Sequence, residues 1–231
     1  MLALKGLVKA GDARGILEYG REFHGHVCPY LALGIRASLV AMDELGVGRL
    51  DYSGSVDESI LAIVEVNSCF TDGVQVTTGC TLGNNSLVYL DLGKTALTLV
   101  KRSDWEGVRV YADAERLRKY YPSGATELFN RVVRERKGTE EERRRLWELW
   151  EEIAYTMLEL PKEEFKIDRV KVPPIEQAPI VESVRCSKCG ELVMETRAVY
   201  INDEPFCLRC AGESYRAVIG RGIVKVSPRG C

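Results

Sequence analysis

The sequence predicts an α+β fold: a mixed or antiparallel sheet with a buried central helix, followed by a small C-terminal treble-clef zinc finger. Three observations predict it. Between residues 86 and 113, β-branched segments follow one another across short turns, which favours strands that are sheet neighbours over a doubly wound α/β alternation. The segment from Pro29 to Gly46 is apolar nearly all round, as a helix enclosed on every side must be. Two C-x-x-C pairs, Cys186/Cys189 and Cys207/Cys210, stand near the C-terminus with the spacing of a metal site.

The elements follow in order. Asp12 caps a helix running to about Phe23, whose apolar positions Ile16, Leu17 and Tyr19 are loosely periodic. Pro29 suits the first position of the central helix, and Gly34 and Ser38 leave room for another element to approach it closely. SILAIVEV (59–66) reads as a buried strand. NSCFTDGVQVTTGCTLGNNS (67–86) is polar and glycine-rich, with a short helix over Asp72–Thr78. SLVYLDLG, TALTLVKR and GVRVYAD then read as strands of an antiparallel meander. A helix capped by Ser123 comes next. Another, capped by Thr139, has Glu142 completing a capping box. The stripe Leu146, Trp150, Ile153, Met157, Leu160 on this last helix is explained by core or dimer packing, and EEERRR by a solvated face. Four of the eight prolines fall between 161 and 179. The domains are therefore a core over 1–165, a linker over 166–181 that opens with a strand in FKIDRVKV, and a four-cysteine module over 182–231.

Composition narrows the function. The 231 residues carry a formal charge of −2, which gives no bulk attraction to nucleic acid or membrane. No apolar run reaches membrane-spanning length, and the N-terminal segment is too polar for a signal peptide. A cytoplasmic protein is expected, and in that compartment C-x-x-C pairs read as metal ligands before disulfides. Charged residues make up 29% of the chain and Gln occurs twice, a thermophile-like balance.

In the C-terminal module, Cys186-Ser-Lys-Cys189-Gly190 is a zinc knuckle. ELVM and AVYI can pair as a hairpin, and Cys207-Leu-Arg-Cys210 leads into a helix over AGESYRAVIG. Four thiolates around Zn²⁺ leave no open position, so this zinc is structural, and its binding and the folding of the module are one event. Basic residues up to Arg229 are balanced by acids and lack an aromatic stacking set. Nucleic-acid binding is thus not favoured over protein docking. Cys231 is incidental.

Both histidines of the chain, His24 and His26, lie in FHGHVCPYLALG beside Cys28. Cys28 precedes Pro29 at a helix start, where the helix dipole stabilises a thiolate, so it is a candidate nucleophile or metal ligand. The imidazoles supply metal ligation or proton transfer. Cys69 and Cys80 fall in the polar segment. Asp72 follows Cys69 by one helical turn, and glycines around Cys80 would let backbone amides face a bound group.

FHGHVCPYLALG (23–34), DGVQVTTGCTLG (72–83) and Asp91-Leu-Gly-Lys94, taken in order, resemble the E-subunit family of formylmethanofuran dehydrogenase, and the terminal cysteines resemble the zinc finger that many members carry. The resemblance implies an α+β core, an auxiliary treble clef and a homodimer. It places TGCTLG across a cavity from HGHVCP. The candidate sites are then His24, His26, Cys28 and Cys69 for a second transition metal, most simply zinc. Cys28 and Asp72 are candidate catalytic groups, and Cys80, Thr81 and Lys94 candidate cofactor contacts. Two positions depart from the pattern: Tyr30 stands for a usual glycine, and Asn84-Asn85-Ser86 for a more glycine- and lysine-containing stretch. No pterin site or iron–sulfur spacing accompanies the motifs. The expected role is therefore that of a methanogenesis-related accessory to the other subunits of a molybdenum or tungsten dehydrogenase. Two other functions compete: a thiol oxidoreductase with Cys28 attacking and Cys69 or Cys80 resolving, and a zinc-finger adaptor.

Overall fold

A computed structural model describes residues 4–228; Arg229 and Cys231 lie outside the described residues. Two helices lead the chain, α1 (Leu4–Ala10) and α2 (Ala13–His24). Asp12 caps α2 by accepting from the Gly15 amide. Gly25, at a left-handed φ of 88°, ends α2 immediately after His24. Helix α3 (Pro29–Leu45) starts with Pro29 in its first turn, with Cys28 as N-cap and Gly46 as its left-handed stop. Twelve of its 17 residues are buried, which makes it the central helix the sequence predicts.

A short α4 (Tyr52–Val56) precedes β1 (Ile60–Val64), which is buried on both faces. Helix α5 (Cys69–Thr78) begins three residues earlier than expected, so Cys69 sits in its first turn. Then come β2 (Leu87–Tyr89), β3 (Ala96–Lys101) and β4 (Glu106–Ala112). A 3-10 turn over Arg116–Tyr120 leads to α6 (Ala125–Phe129), which runs on into a π-turn. Its N-cap is Gly124 at φ 80°, and Ser123 makes no capping bond: the positive φ turns the chain before the serine can cap. Helix α7 (Glu140–Leu158) has the expected capping box, with Thr139 and Glu142 bonding each other's amides. Strand β5 (Phe165–Lys171) follows.

The sheet order is β2-β1-β3-β4-β5. Strands β1, β3, β4 and β5 pair antiparallel, but β2 runs parallel to β1, so SLVYLDLG does not belong to the meander. The reason is the connection: α5 and its flanking loops cross over between β1 and β2, and a crossover returns the chain in the same direction. The first compact unit runs to Ile175, ten residues past the 1–165 core, because β5 pairs with β4 along all of its length. Helices α2, α3, α5 and α7 build one large core with the sheet. A smaller cluster of Leu61, Ile63 and Val100 with Trp105, Val172 and Ile175 forms separately.

One contact positions the site. Helices α3 and α5 cross at Gly34 and Gly73. A Cβ on Gly34 would fall on the Phe70 carbonyl, and one on Gly73 on the Leu31 carbonyl. The backbones thus touch, and the room left at Gly34 is filled by α5.

The second unit, from Glu176, consists of three separate hairpins. They pair β6 (Ser183–Arg185) with β7 (Leu192–Met194), β8 (Ala198–Ile201) with β9 (Glu204–Cys207), and β10 (Tyr215–Ile219) with β11 (Gly222–Val226). ELVM and AVYI therefore do not pair with each other. The helix expected over 211–220 is replaced by the β10/β11 hairpin, so a four-cysteine sheet module stands where a treble clef would end in a helix. Tyr215–Ile219 is rich in strand-forming side chains, and the two-residue turn Gly220-Arg221 leads into Gly222, which opens β11 at φ 109°.

Candidate metal centre

The α3/α5 crossing brings two helix N-termini to one place, each with a cysteine. Cys28 is the N-cap of α3 and accepts from the Leu31 amide; Cys69 opens α5. The left-handed turn at Gly25 folds His24 and His26 back onto them, with ring centroids 4.4 Å apart. One ligand atom from each of His24, His26, Cys28 and Cys69 lies within 4.8 Å of all the others.

Asp72, one turn along α5 from Cys69, has Oδ2 2.6 Å from His24 Nδ1, and Gln75 steadies its other oxygen at 3.0 Å. With Nδ1–H donating to the carboxylate, Nε2 presents its lone pair. That Nε2 is buried and makes no hydrogen bond. An orphaned imidazole nitrogen beside two thiols, held by a carboxylate behind it, is the arrangement that suits a thiophilic divalent ion such as Zn²⁺. Burial lowers the His26 pKa, helped by His24, and so favours its neutral, ligating form. The two thiols divide their protons unequally. The hydrogen bond from Cys28 and the adjacent imidazoles hold Cys69 down at about 5, while the same bond and burial raise Cys28. Of the two thiols, Cys69 is thus the one whose thiolate is favoured, by the Cys28 hydrogen bond and the neighbouring imidazoles.

A cavity of about 320 Å³ opens beside these residues. His26, Cys28, Ser68 and Cys69 form one part of its wall, and Tyr30, Arg118, Tyr121, Phe129, Trp150 and Ile153 much of the rest. The Ser68 hydroxyl is buried without a partner. His26 also faces the indoles of Trp147 and Trp150, at 5.9 and 6.3 Å between centroids. Burial raises the phenols of Tyr30 and Tyr121, the latter to about 12, while the Arg118 charge pulls both the other way.

The other sequence candidates lie elsewhere. Cys80 is fully buried, with its sulfur on the Ile60 carbonyl and its thiol pushed up to about 12 by burial. Thr81 lines a different pocket with Arg49 and Gln75. Lys94 is exposed and bonds the Glu65 carbonyl through its backbone amide. TGCTLG therefore closes a turn, held by the Asn84 side chain on the Thr81 amide and the Gly79 carbonyl, and does not face HGHVCP. Of the two departures from the family pattern, Asn84 thus serves this turn and Tyr30 lines the cavity. Arg118, Tyr121, Phe129 and Trp150 are missing from the sequence candidates. Only Trp150 left a signal, as a large aromatic three residues from Trp147 in a stripe otherwise buried.

The second cluster is Cys186, Cys189, Cys207 and Cys210, again with ligand atoms within 4.8 Å. Backbone amides point at its sulfurs. The Cys189 amide and other backbone donors bring Cys186 down to about 6, and the Cys210 amide reaches Cys207 Sγ at 3.4 Å. Gly190, at φ 75°, closes the first knuckle.

Residues 23–166 match the family model described as FmdE, molybdenum formylmethanofuran dehydrogenase operon. Residues 179–216 match the prokaryotic dksA/traR C4-type zinc finger. A "probable S-adenosyl-L-methionine-binding protein" of Archaeoglobus fulgidus is 61% identical over 210 residues, covering 91% of this chain. The chain spans 56% of that relative's length. Among solved structures, an FmdE-like protein of the tungsten formylmethanofuran dehydrogenase type, from Syntrophus aciditrophicus, superposes with a TM-score of 0.57 at 27% identity. The match covers 87% of this chain and 92% of that one.

Proposed function

The chain belongs to the FmdE family, and from that premise we propose that its core is a metal centre built by His24, His26, Cys28 and Cys69. The observation that carries the reading is the orphaned His24 Nε2, backed through Nδ1 by Asp72 and aimed among two thiols and a second imidazole. A Zn²⁺ held by three of these four groups would keep a position open toward the aromatic cavity and could supply Lewis-acid chemistry there, whereas one held by all four would be closed. The chain's own part is to orient His24 through Asp72, to keep His26 neutral, and to exclude water with Phe129, Trp150 and Ile153. The C-terminal four-cysteine cluster holds a structural zinc. The protein acts as an accessory, as a homodimer and alongside other subunits of a molybdenum or tungsten dehydrogenase. The family match and the exposed apolar side chains of the core, such as Phe23, Val133 and Trp147, support that reading.

The test is metal stoichiometry on the full chain. Two ions per chain are expected, with Cys28→Ala losing one and Cys186, Cys189, Cys207 and Cys210 keeping theirs. Equal metal content in wild type and variant removes the centre.

A second reading rests on the same contact. With Cys69 as thiolate beside the Cys28 thiol, the pair suits disulfide exchange. It predicts fast alkylation of one core thiol in protein carrying a single, C-terminal zinc. S-adenosyl-L-methionine, named for the Archaeoglobus relative, is not adopted for this cavity. Its described lining has no Asp or Glu to meet a sulfonium, and about 320 Å³ is at the small end for ligand pockets.

A further inference from the structure

We infer that the cavity beside the metal centre receives a small aromatic or apolar carboxylate, its charged group on Arg118, Tyr30 and Tyr121 and its apolar body against Phe129, Trp150 and Ile153. The inference rests on the reading of this cavity as the working site. Its own evidence is a set of donors without acceptors. Among the described residues, the Arg118 guanidinium meets no carboxylate and makes no side-chain hydrogen bond, and neither the Tyr30 nor the Tyr121 phenol is hydrogen-bonded. Both phenols are only partly exposed, and the charge of Arg118 acts on both of them. A guanidinium and two hydroxyls in one cavity form a donor set for a planar anion.

The charge balance points the same way. No acidic side chain lines the cavity. Cys28 and Cys69, in its wall, mark the N-termini of α3 and α5, helices of 17 and 10 residues whose positive ends favour negative charge. A zinc ion held by two thiolates and two neutral imidazoles would add no net charge, so the preference for an anion lies with Arg118 and the helix ends. The rest of the wall is mostly apolar, with Ala114, Ala125, Phe129, Trp150 and Ile153 beside the hydroxyls of Ser68 and Thr126. A volume of about 320 Å³ limits the ligand to about one ring with a short side chain. Seated on Arg118, such a ligand would direct its far end toward His26, Cys28 and Cys69.

Calorimetric titration of the zinc-loaded full chain with phenylacetate, and with the isosteres phenylacetamide and phenethylamine, tests this. Phenylacetate should bind at least about tenfold more tightly than the amide, the ratio expected from one charge-assisted hydrogen bond. Arg118→Gln should abolish that preference, and Tyr121→Phe should reduce it, with zinc content unchanged in both. Binding of the amide or the amine as tight as that of the acid overturns the inference, as does a preference that survives Arg118→Gln. Zinc content of the same samples separates the two proposals. An acid preference without a core metal overturns the metal centre and upholds the carboxylate site. A core metal without an acid preference overturns the carboxylate site alone.

Discussion

The chain carries two four-ligand clusters of similar compactness, and they are made in opposite ways. His24, His26, Cys28 and Cys69 stand on helix ends anchored in the large core, where Leu31, Ile35 and Phe70 are fully buried. Cys186, Cys189, Cys207 and Cys210 stand in the β6/β7 connection and at and just after the end of β9, in a module of hairpins with three to five residues per strand, where Leu192, Met194, Tyr200, Ile201, Val218, Ile219 and Ile223 are exposed. Among the described residues of that module, no hydrophobic side chain apart from Cys186 is buried. In the core, packing assembles the ligands. In the module there is little apolar burial to offset the entropy of ordering the chain, so the ion must supply it. A compact four-ligand cluster is thus a product of the fold in one place and its cause in the other.

The sharpest way to break this contrast is to remove ligands from the module. Cys207→Ser with Cys210→Ser should abolish amide-exchange protection across residues 183–226, a loss on the order of 10 kcal/mol of metal-derived folding energy. Melting of residues 4–175 should not change. Protection that persists in the hairpins would show a fold independent of its zinc. Next in size is Gly73→Ala, which sets a methyl on the Leu31 carbonyl. It should destabilise the core by about 1–3 kcal/mol and release the core metal while the module keeps its own. A variant as stable as wild type with both ions bound would mean that the crossing does not set the site. Asp72→Asn leaves packing alone and should weaken core metal binding about 10–100-fold, measured by competition with a chelating dye. The smallest expected effect is that of Thr139→Ala, which removes the α7 cap far in sequence from either cluster. It should lower core stability by about 1 kcal/mol in denaturant titration and leave both metals in place.

Local chemistry is legible in the sequence wherever one residue decides it. Pro29 and Gly46 bound the central helix, Thr139 and Glu142 form the box, and Gly34 admits a neighbour. Residues two to four apart at helix ends, such as His24, His26 and Cys28, can be grouped for the same reason. Pairing at a distance is not legible in this way. The parallel β2 depends on a crossover, and nothing local to TGCTLG tells that its cysteine turns into the core instead of facing HGHVCP. The cavity wall is drawn from four separate stretches of chain, around His26–Tyr30, Ser68–Cys69, Ala114–Phe129 and Trp150–Ile153, and no periodicity links them. In the module, glycine and strand-forming side chains over 215–226 outweigh the helix suggested by analogy with other four-cysteine modules.

The backbone contact at Gly34 and Gly73 also acts as a pivot with two lever arms. Cys28 lies six residues from Gly34 and Cys69 four from Gly73. At 1.5 Å per residue the arms are about 9 and 6 Å long, so tilting the crossing by about 5° displaces a sulfur by only about 0.5–0.8 Å. With no side chain at the fulcrum to compress, the gap between the sulfurs is a nearly fixed gauge. In the proposed centre such a gauge would sort ions by radius, its calibre set by the absence of two methyl groups.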